Sequence, residues 1–393
     1  MSTTTNSFQF LIKVILLGIF WVLGFIYIYS SKDLYEYKKL VWVNEASDKV
    51  LILFWTSYFG SKNKDPLSAM GINIAAYPPE CFRNCEFTFN RSRITEAHVI
   101  VFHSRDLNKL DMPKFRSVTQ IWVWMEQESP IQAPKDLELF SGVFNWTMTY
   151  RNDSDVVHPY GKIVPIETSP KNKSELNAFL VGKQKVAAAV ISNCHTNSKR
   201  EVLIKKLKQE GISIDTFGNC GIPICPRGPR VLRNGQNCTE SEFWENLAKD
   251  YKFYLSFENA LCKDYATEKL FRTLELGLVP VVYGGADYQR IAPPNSFIDV
   301  ESFETLSHFA EFLNNLNRNE EEYKKYFEWK ENFKVGRGGG WCTLCDKVRK
   351  HNLNRKGGKH HVPKVYKDLK DWWLHYTVDG DMKPACRKPL EYL

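Results

Sequence analysis

The stretch FYLSFENALCKDYATEKLFRTLELGLVPVVYGG, residues 253–285, decides the fold. Its apolar opening, Phe253–Phe257, reads as a buried strand. A polar loop rich in functional side chains follows, then a short helix over Ala266–Leu276 and a second strand over Val279–Tyr283. Gly277 falls where a helix C-cap belongs, and Pro280 cannot continue a helix. The order strand, loop, helix, strand is a βαβ unit. The helix opens with Thr267, Glu268 and Lys269, so its free backbone N–H groups lie beside an ammonium, with Asn259 and Tyr265 close in sequence. That grouping suits a bound phosphate or diphosphate. A solvated helix start on an ordinary βαβ unit is the plainer alternative.

The same grammar extends in both directions. VLILFW (Val50–Trp55), AHVIVF (97–102) and IWVW (121–124) are near-continuous apolar runs, as strands buried on both faces require. The polar stretch Pro165–Lys185 reads as a linker. Beyond it, VAAAVIS (186–192) starts a second strand series, followed by an amphipathic helix over Lys199–Glu210 that Gly211 stops. Alternation of strand and helix in both halves predicts an α/β protein with two Rossmann-like domains. The segment 218–237 reads as a loop, and GRGGGWCTLC (336–345) as a flexible segment tied down by its cysteines.

Composition narrows the partners. The 393 residues are 43% hydrophobic and 25% charged, so a packed chain is expected rather than a disordered one. The net charge of +8 is spread along the chain and not gathered in a stripe, which argues against nucleic acid. Phe8–Tyr29 is apolar apart from Gln9 and Lys13, and no small-x-small cleavage site follows it. A retained signal anchor over residues 8–31 is expected, with a tail at 1–7 and a charged stem at 32–48. Lys32, Lys38 and Lys39 follow the anchor while Lys13 precedes it, a bias that would put the bulk of the chain in the cytosol. Ten cysteines and sequons at Asn90, Asn145, Asn152, Asn172 and Asn237 outweigh it and favour a lumen. Cys81-x3-Cys85 and Cys342-x2-Cys345 would suit a zinc site in a reducing compartment and disulfides in a lumen.

SFEN, KDYATEK and LVPVVYGG, together with WVWMEQESP (122–130), FNWTMTYRNDSD (144–155), PYG (159–161) and VISN (190–193), resemble the α-1,3-fucosyltransferase family from about residue 49 to about residue 345. The resemblance implies a GT-B-like architecture of two facing Rossmann-like domains. An acceptor-binding domain would span 49–165, a GDP-fucose-binding domain 180–335, and a C-terminal segment 336–393 would pack back on the first. It implies transfer of L-fucose from GDP-β-L-fucose to the 3-hydroxyl of a GlcNAc residue, with inversion, in a Golgi type II membrane protein.

Roles follow position by position. Glu128 falls on the family's general base, and Glu126 is its neighbour. Lys269 and Arg200 are the expected diphosphate cations, and Glu268 lies against the fucose. Tyr160, Ser192, Asn193, Tyr254, Asn259 and Tyr265 match donor-contacting positions. Ser61 departs from the Gln that some members carry, which bears on acceptor choice. Cys81 and Cys85 would be bridged to Cys342 and Cys345. Glycans are expected at Asn90, Asn145, Asn172 and Asn237, and little or none at Asn152 beside the donor cleft.

The same residues leave two competitors to weigh, a silent glycan-binding protein and a metal-dependent transferase using a D-x-D site. Asp153-Ser154-Asp155 and Asp379-Gly380-Asp381 spell that triplet, but so short a pattern is cheap, and the first reads as structural or cleft-lining. His360-His361 has no partner ligands at zinc spacing. No metal or other cofactor is expected.

Overall fold

The computed structural model describes residues 38–39, 49–61, 66–70, 72, 77–134, 136–166, 180, 182–224, 230–231, 237–356 and 364–391. The expected anchor, most of the stem, Asn172, Cys225, His360-His361 and the side chains of Asn237 and Cys238 lie outside this set. Among the described residues no helix is long and apolar enough to cross a membrane.

Two parallel sheets organise the chain. The first contains β1 (Val50–Phe54), β2 (Cys85–Thr88), β3 (Val99–His103), β4 (Ile121–Glu126), β5 (Trp146–Thr149) and β6 (Val156–Val157). Its order is β2-β1-β3-β4-β5-β6, with every pair parallel. β1, β3 and β4 are buried along their whole length, which is why they read as unbroken apolar runs.

After β7 (Gly161–Pro165) the chain enters the second sheet. This holds β8 (Lys185–Val190), β9 (Ile214–Phe217), β10 (Tyr251–Phe257), β11 (Val279–Tyr283) and β12 (Ile298–Asp299), in the order β9-β8-β10-β11-β12. All four pairings are parallel. In each sheet the strand order reverses beside the first strand, and the crevice at such a reversal is where open α/β sheets bind ligands.

Helices cover the second sheet. α1 (Arg200–Gln209) turns Leu203 and Leu207 into a core shared with Ala187, Ala189, Phe253, Leu255 and Val281. α2 (Glu240–Asp250) begins with a capping box, in which Thr239 and Glu242 satisfy each other's backbone N–H groups. α3 (Glu268–Leu276) packs Leu270, Phe271 and Leu274 on the opposite face, and Gly277 closes it at φ 74°, a left-handed turn that suits glycine. α4 (Leu306–Arg318) adds Phe309 and Leu313 to the first core.

The C-terminal segment returns to the first sheet. The expected flexible run at 336–345 is instead the end of β13 (Phe333–Arg337), paired antiparallel to β7, and the start of α5 (Gly340–Lys356). Apolar Trp341, Leu344 and Val348 recur at helical spacing and bury against β1, β3 and β4, so the segment gains a core face that its glycines conceal in sequence. α6 (Leu369–Leu374) covers the other face with Leu369 and Trp373. Disulfides Cys81–Cys342 and Cys85–Cys345 staple α5 to the start of β2 and the turn before it. Two further bridges, Cys194–Cys220 and Cys262–Cys386, belong to the second sheet and the C-terminal end.

Candidate functional site

The reversal point of the second sheet lies between the C-terminal ends of β8 and β10. A cleft of about 690 Å³ opens there, lined among others by Ser192, Asn193, Arg200, Tyr254, Asn259 and Lys269. Glu268 lies at the same cleft and is exposed. The strand ends set the floor, and the start of α3 presents its N-terminus to the cavity.

Glu258, the carboxylate of SFEN, holds this helix start. It is 1% exposed and accepts hydrogen bonds from the Thr267 backbone N–H at 2.8 Å and the Thr267 hydroxyl at 2.9 Å. Thr267 is therefore the N-cap residue but spends its side chain on Glu258, and the helix proper begins at Glu268 rather than Ala266. Lys269 Nζ sits 3.1 Å from Glu258 and 3.4 Å from Glu268. Burial alone would lower the Lys269 ammonium, but these two carboxylates hold it above the ordinary lysine range. It meets the cavity as a charged, positioned cation.

Arg200 is 4% exposed and donates to the Phe257 carbonyl at 2.9 Å and the Asn193 carbonyl at 3.5 Å. It thus ties the ends of β8 and β10 together, while its Nε has no hydrogen-bond partner. Asn259 Oδ1 is likewise buried and unsatisfied. Unpaired buried polar atoms are costly, and a cleft is where a ligand can satisfy them. Tyr254 lines the floor, and burial pushes its phenol up to about 12. Tyr265 is buried against Tyr150, their ring centres 4.9 Å apart, so it acts on the wall from behind.

Glu126 and Glu128 follow one another out of β4 with different environments. Glu126 is fully buried; its Oε1 accepts from the N–H groups of Gln127 at 2.9 Å and Glu128 at 2.8 Å, and Oε2 has no partner. Burial lifts its carboxyl to about 7. Glu128 is half-buried, and burial also raises its carboxyl, against the pull of Arg105 and Lys269. The charges of Glu268 and Glu258 act on it too, so Glu128 lies within electrostatic reach of the start of α3. Tyr160 bridges the two halves, its hydroxyl donating to the Gln127 carbonyl at 2.6 Å.

Three groups at the cleft escape a reading of the sequence. Glu258 looks like a strand-end residue, and its role appears only once Thr267 and Lys269 fold back on it. Arg272 and Trp244 line the rim, the guanidinium 4.6 Å over the indole. Arg272 lies one turn beyond Lys269 on α3, a spacing that could have signalled it.

Other expectations need correction or relocation. Asn145 is 4% exposed; its amide nitrogen donates to the Lys364 carbonyl at 3.2 Å, and its Oδ1 accepts from the Trp122 N–H at 2.8 Å. A side chain so used has no room for a glycan. Asn90 is exposed, and so is Asn152. Asp153 pairs with Arg151, and Asp155 accepts from the Thr147 N–H at 2.9 Å and the Tyr366 hydroxyl at 2.8 Å. The first D-x-D triplet is thus built into the scaffold. Among the described residues no group of three or more His, Cys, Asp or Glu side chains could hold a metal ion.

Comparison with known proteins matches the glycosyltransferase family 10 (fucosyltransferase) C-terminal region to residues 180–372 and the fucosyltransferase N-terminal region to residues 47–161. Alpha-(1,3)-fucosyltransferase C of Drosophila melanogaster is 34% identical over 349 residues, 82% of this chain and 77% of that protein. Alpha-(1,3)-fucosyltransferase fut-6 of Caenorhabditis elegans is 35% identical, over 84% of this chain and 81% of its own length. For alpha-(1,3)-fucosyltransferase 7 of Mus musculus the figures are 35%, 74% and 68%. A crystal structure of an alpha1,3-fucosyltransferase superposes with a TM-score of 0.51 at 13% identity, covering 84% of this chain and 94% of that one. Another, with GDP-fucose, gives a TM-score of 0.50 over 85% and 97%. At that identity these two likenesses speak to the GT-B-like fold alone.

Proposed function

The chain belongs to the glycosyltransferase family 10 fucosyltransferases, and from that premise we propose that it transfers L-fucose from GDP-β-L-fucose to the 3-hydroxyl of a GlcNAc residue with inversion. Glu128 removes the proton from the acceptor hydroxyl. That oxygen attacks fucose C1, the bond from C1 to the β-phosphate oxygen breaks, and GDP leaves with the bonding electrons. Lys269 and the N–H groups at the start of α3 neutralise the charge that grows on the diphosphate. Arg200 holds the strand ends beneath it, and Asn259, Ser192, Asn193 and Tyr254 shape the donor pocket. Glu268 binds the sugar hydroxyls. No metal or other cofactor takes part.

One observation carries the reading: a half-buried carboxylate whose pKa is raised by burial feels the charge of a held cation at a helix start in the other sheet's half of the chain. Proton acceptor and leaving-group stabiliser are the two groups this displacement needs. The apolar stretch near the N-terminus, the sequons and the disulfides support a Golgi type II membrane protein with a lumenal catalytic domain. The partners are then the membrane, the donor and a glycan.

An acceptor panel with GDP-fucose tests the proposal, run on wild type and on Glu128→Gln. Wild type should fucosylate GlcNAc-containing acceptors. Loss of the base should reduce turnover by about 10²–10⁴-fold with GDP affinity little changed. If Glu128→Gln keeps near-wild-type turnover while Glu126→Gln is dead, the base is Glu126.

A further inference from the structure

Glu126 closes β4, and its side chain turns back on the loop that carries the candidate base. The carboxyl is fully buried. One of its oxygens, Oε1, accepts from the backbone N–H groups of Gln127 at 2.9 Å and Glu128 at 2.8 Å. Two successive N–H groups held by one oxygen fix the direction in which the chain leaves the strand. They fix with it the point from which the Glu128 side chain starts. The same loop is held a second time where the Gln127 carbonyl accepts from Tyr160 at 2.6 Å.

Holding two N–H groups does not require an ionisable side chain. The amide oxygen of a glutamine would serve, without the cost of burying a group that can carry charge. The second oxygen, Oε2, shows what the carboxyl adds. It is buried without a hydrogen-bond partner, and so are three hydroxyls of neighbouring segments: Ser104 after β3, Ser129 next to Glu128, and Tyr150 after β5. Ser104 follows His103, which pairs with Met125, so it comes level with Glu126. On the other side Glu126 pairs with Thr149, the residue before Tyr150. The Ser104 hydroxyl lies close enough to favour the ionised form of Glu126, and the charge of Glu126 acts on the Tyr150 phenol. A protonated carboxyl can donate to a hydroxyl and an ionised one can accept from it. Rotation of hydroxyl hydrogens is then enough to meet either state.

The charge of this carboxyl reaches the base. Burial raises the Glu126 carboxyl and the like charge of Glu128 adds to it. That interaction is mutual, so an ionised Glu126 raises the proton affinity of Glu128. The other groups facing the pair are Tyr58 after β1, Arg105 after β3 and Tyr150 after β5. Tyr58 also feels Asp106, which is paired with His103. From the second sheet's half of the chain, Lys269, Glu268 and Glu258 act on Glu128.

We infer that Glu126 is a positioning residue for the base: it fixes the backbone of Glu128 through two N–H groups, and its own proton, by leaving or returning, makes Glu128 the stronger or the weaker proton acceptor. This rests on the fucosyl-transfer reading of Glu128. Glu126 is too deeply buried to touch the reactants and acts only through its neighbour.

The test follows kcat and KM from about pH 5 to about pH 9 in full-length wild type, Glu126→Gln and Glu126→Leu, with GDP-fucose and a GlcNAc acceptor. GDP affinity and melting temperature are measured alongside. Glu126→Leu leaves both N–H groups without their acceptor, and its kcat should fall by about tenfold to 10²-fold with GDP affinity unchanged. Glu126→Gln keeps an oxygen for them and should recover most of that loss. Besides the rise that accompanies ionisation of Glu128, wild-type kcat should rise a second time at about pH 7, where Glu126 gives up its proton. Glu126→Gln should lack the second rise. A wild-type profile without it, a Glu126→Gln profile that keeps it, no recovery in Glu126→Gln, or wild-type kcat in a folded Glu126→Leu protein would each overturn the inference while leaving fucosyl transfer intact. If Glu126→Leu does not fold, the wild-type and glutamine profiles decide alone. Failure of wild type to transfer fucose, or near-wild-type turnover in Glu128→Gln, would remove the reading of the base and this inference with it.

Discussion

Two residues apart, Glu126 and Glu128 show how burial divides one run of sequence into different chemistry. The Glu126 carboxyl has a folded-state pKa of about 7 against an ordinary 4.5. Between those values the folded protein binds the proton that the unfolded chain has released, so Glu126 makes stability fall as pH rises through this window. The full effect is about 3 kcal/mol above pH 7. His158 acts oppositely, since burial holds it at about 4 and it favours folding as pH rises from 4 to 6.5. The two nearly cancel in wild type, so Glu126 is isolated by the difference between wild type and Glu126→Gln. In urea titrations from pH 4.5 to 8, wild type should lose about 3 kcal/mol relative to the variant. Parallel curves would mean that Glu126 is not buried as described. In the cleft of the second sheet, Lys269→Ala should weaken GDP binding by about 1.5–3 kcal/mol, the worth of a charged hydrogen bond. It also strands Glu258, so melting must be followed alongside. Calorimetric titration with unchanged GDP affinity would move the phosphate site away from α3.

At the scale of elements, the βαβ unit over residues 253–285 was legible because its apolar runs, Gly277 and Pro280 agree with one another. The observed strand Val279–Tyr283 matches the expected bounds, while β10 starts earlier, at Tyr251, and α3 starts later, at Glu268. In the C-terminal segment the cysteine bridges and the return to the first sheet were expected, but the strand and helix at 336–345 were not legible. Gly338 and Gly340 are needed there for close backbone approach to Pro159 and His158, which looks the same in sequence as flexibility. Gly161 of PYG is another such contact: a Cβ there would collide with the Phe271 ring of α3. Gly161→Ala should therefore cost about 1–3 kcal/mol through overpacking, read as a lower melting temperature. An unchanged melt would show that β7 and α3 are not packed that closely. The sequons follow the same lesson, because Asn-x-Ser/Thr says nothing about burial. Glycopeptide mass spectrometry should find Asn90 modified and Asn145 bare; a glycan on Asn145 in folded protein would contradict its burial between β4, β5 and Lys364.

For the whole molecule, the first sheet contributes Glu128 after β4 and the second contributes Lys269 on α3, and the charge of Lys269 acts on Glu128. The sequence supplied each residue as a member of a local motif. What it withheld was the set of partners that hold them, Glu258 under Lys269 and Tyr160 on Gln127, because such contacts depend on how the loops fold back rather than on any local period. On the proposed roles a base and a cationic helix start serve without a metal ion, so transfer should persist in excess EDTA. The most direct test of the account is the identity of the product. The protein is incubated with GDP-β-L-fucose, a GlcNAc-terminated disaccharide and excess EDTA, and the isolated trisaccharide is analysed by NMR for linkage and anomeric configuration. The account predicts a single α-fucosyl residue on O3 of GlcNAc. A β-linked product, a different linkage position, or no product until Mn²⁺ is restored would contradict it.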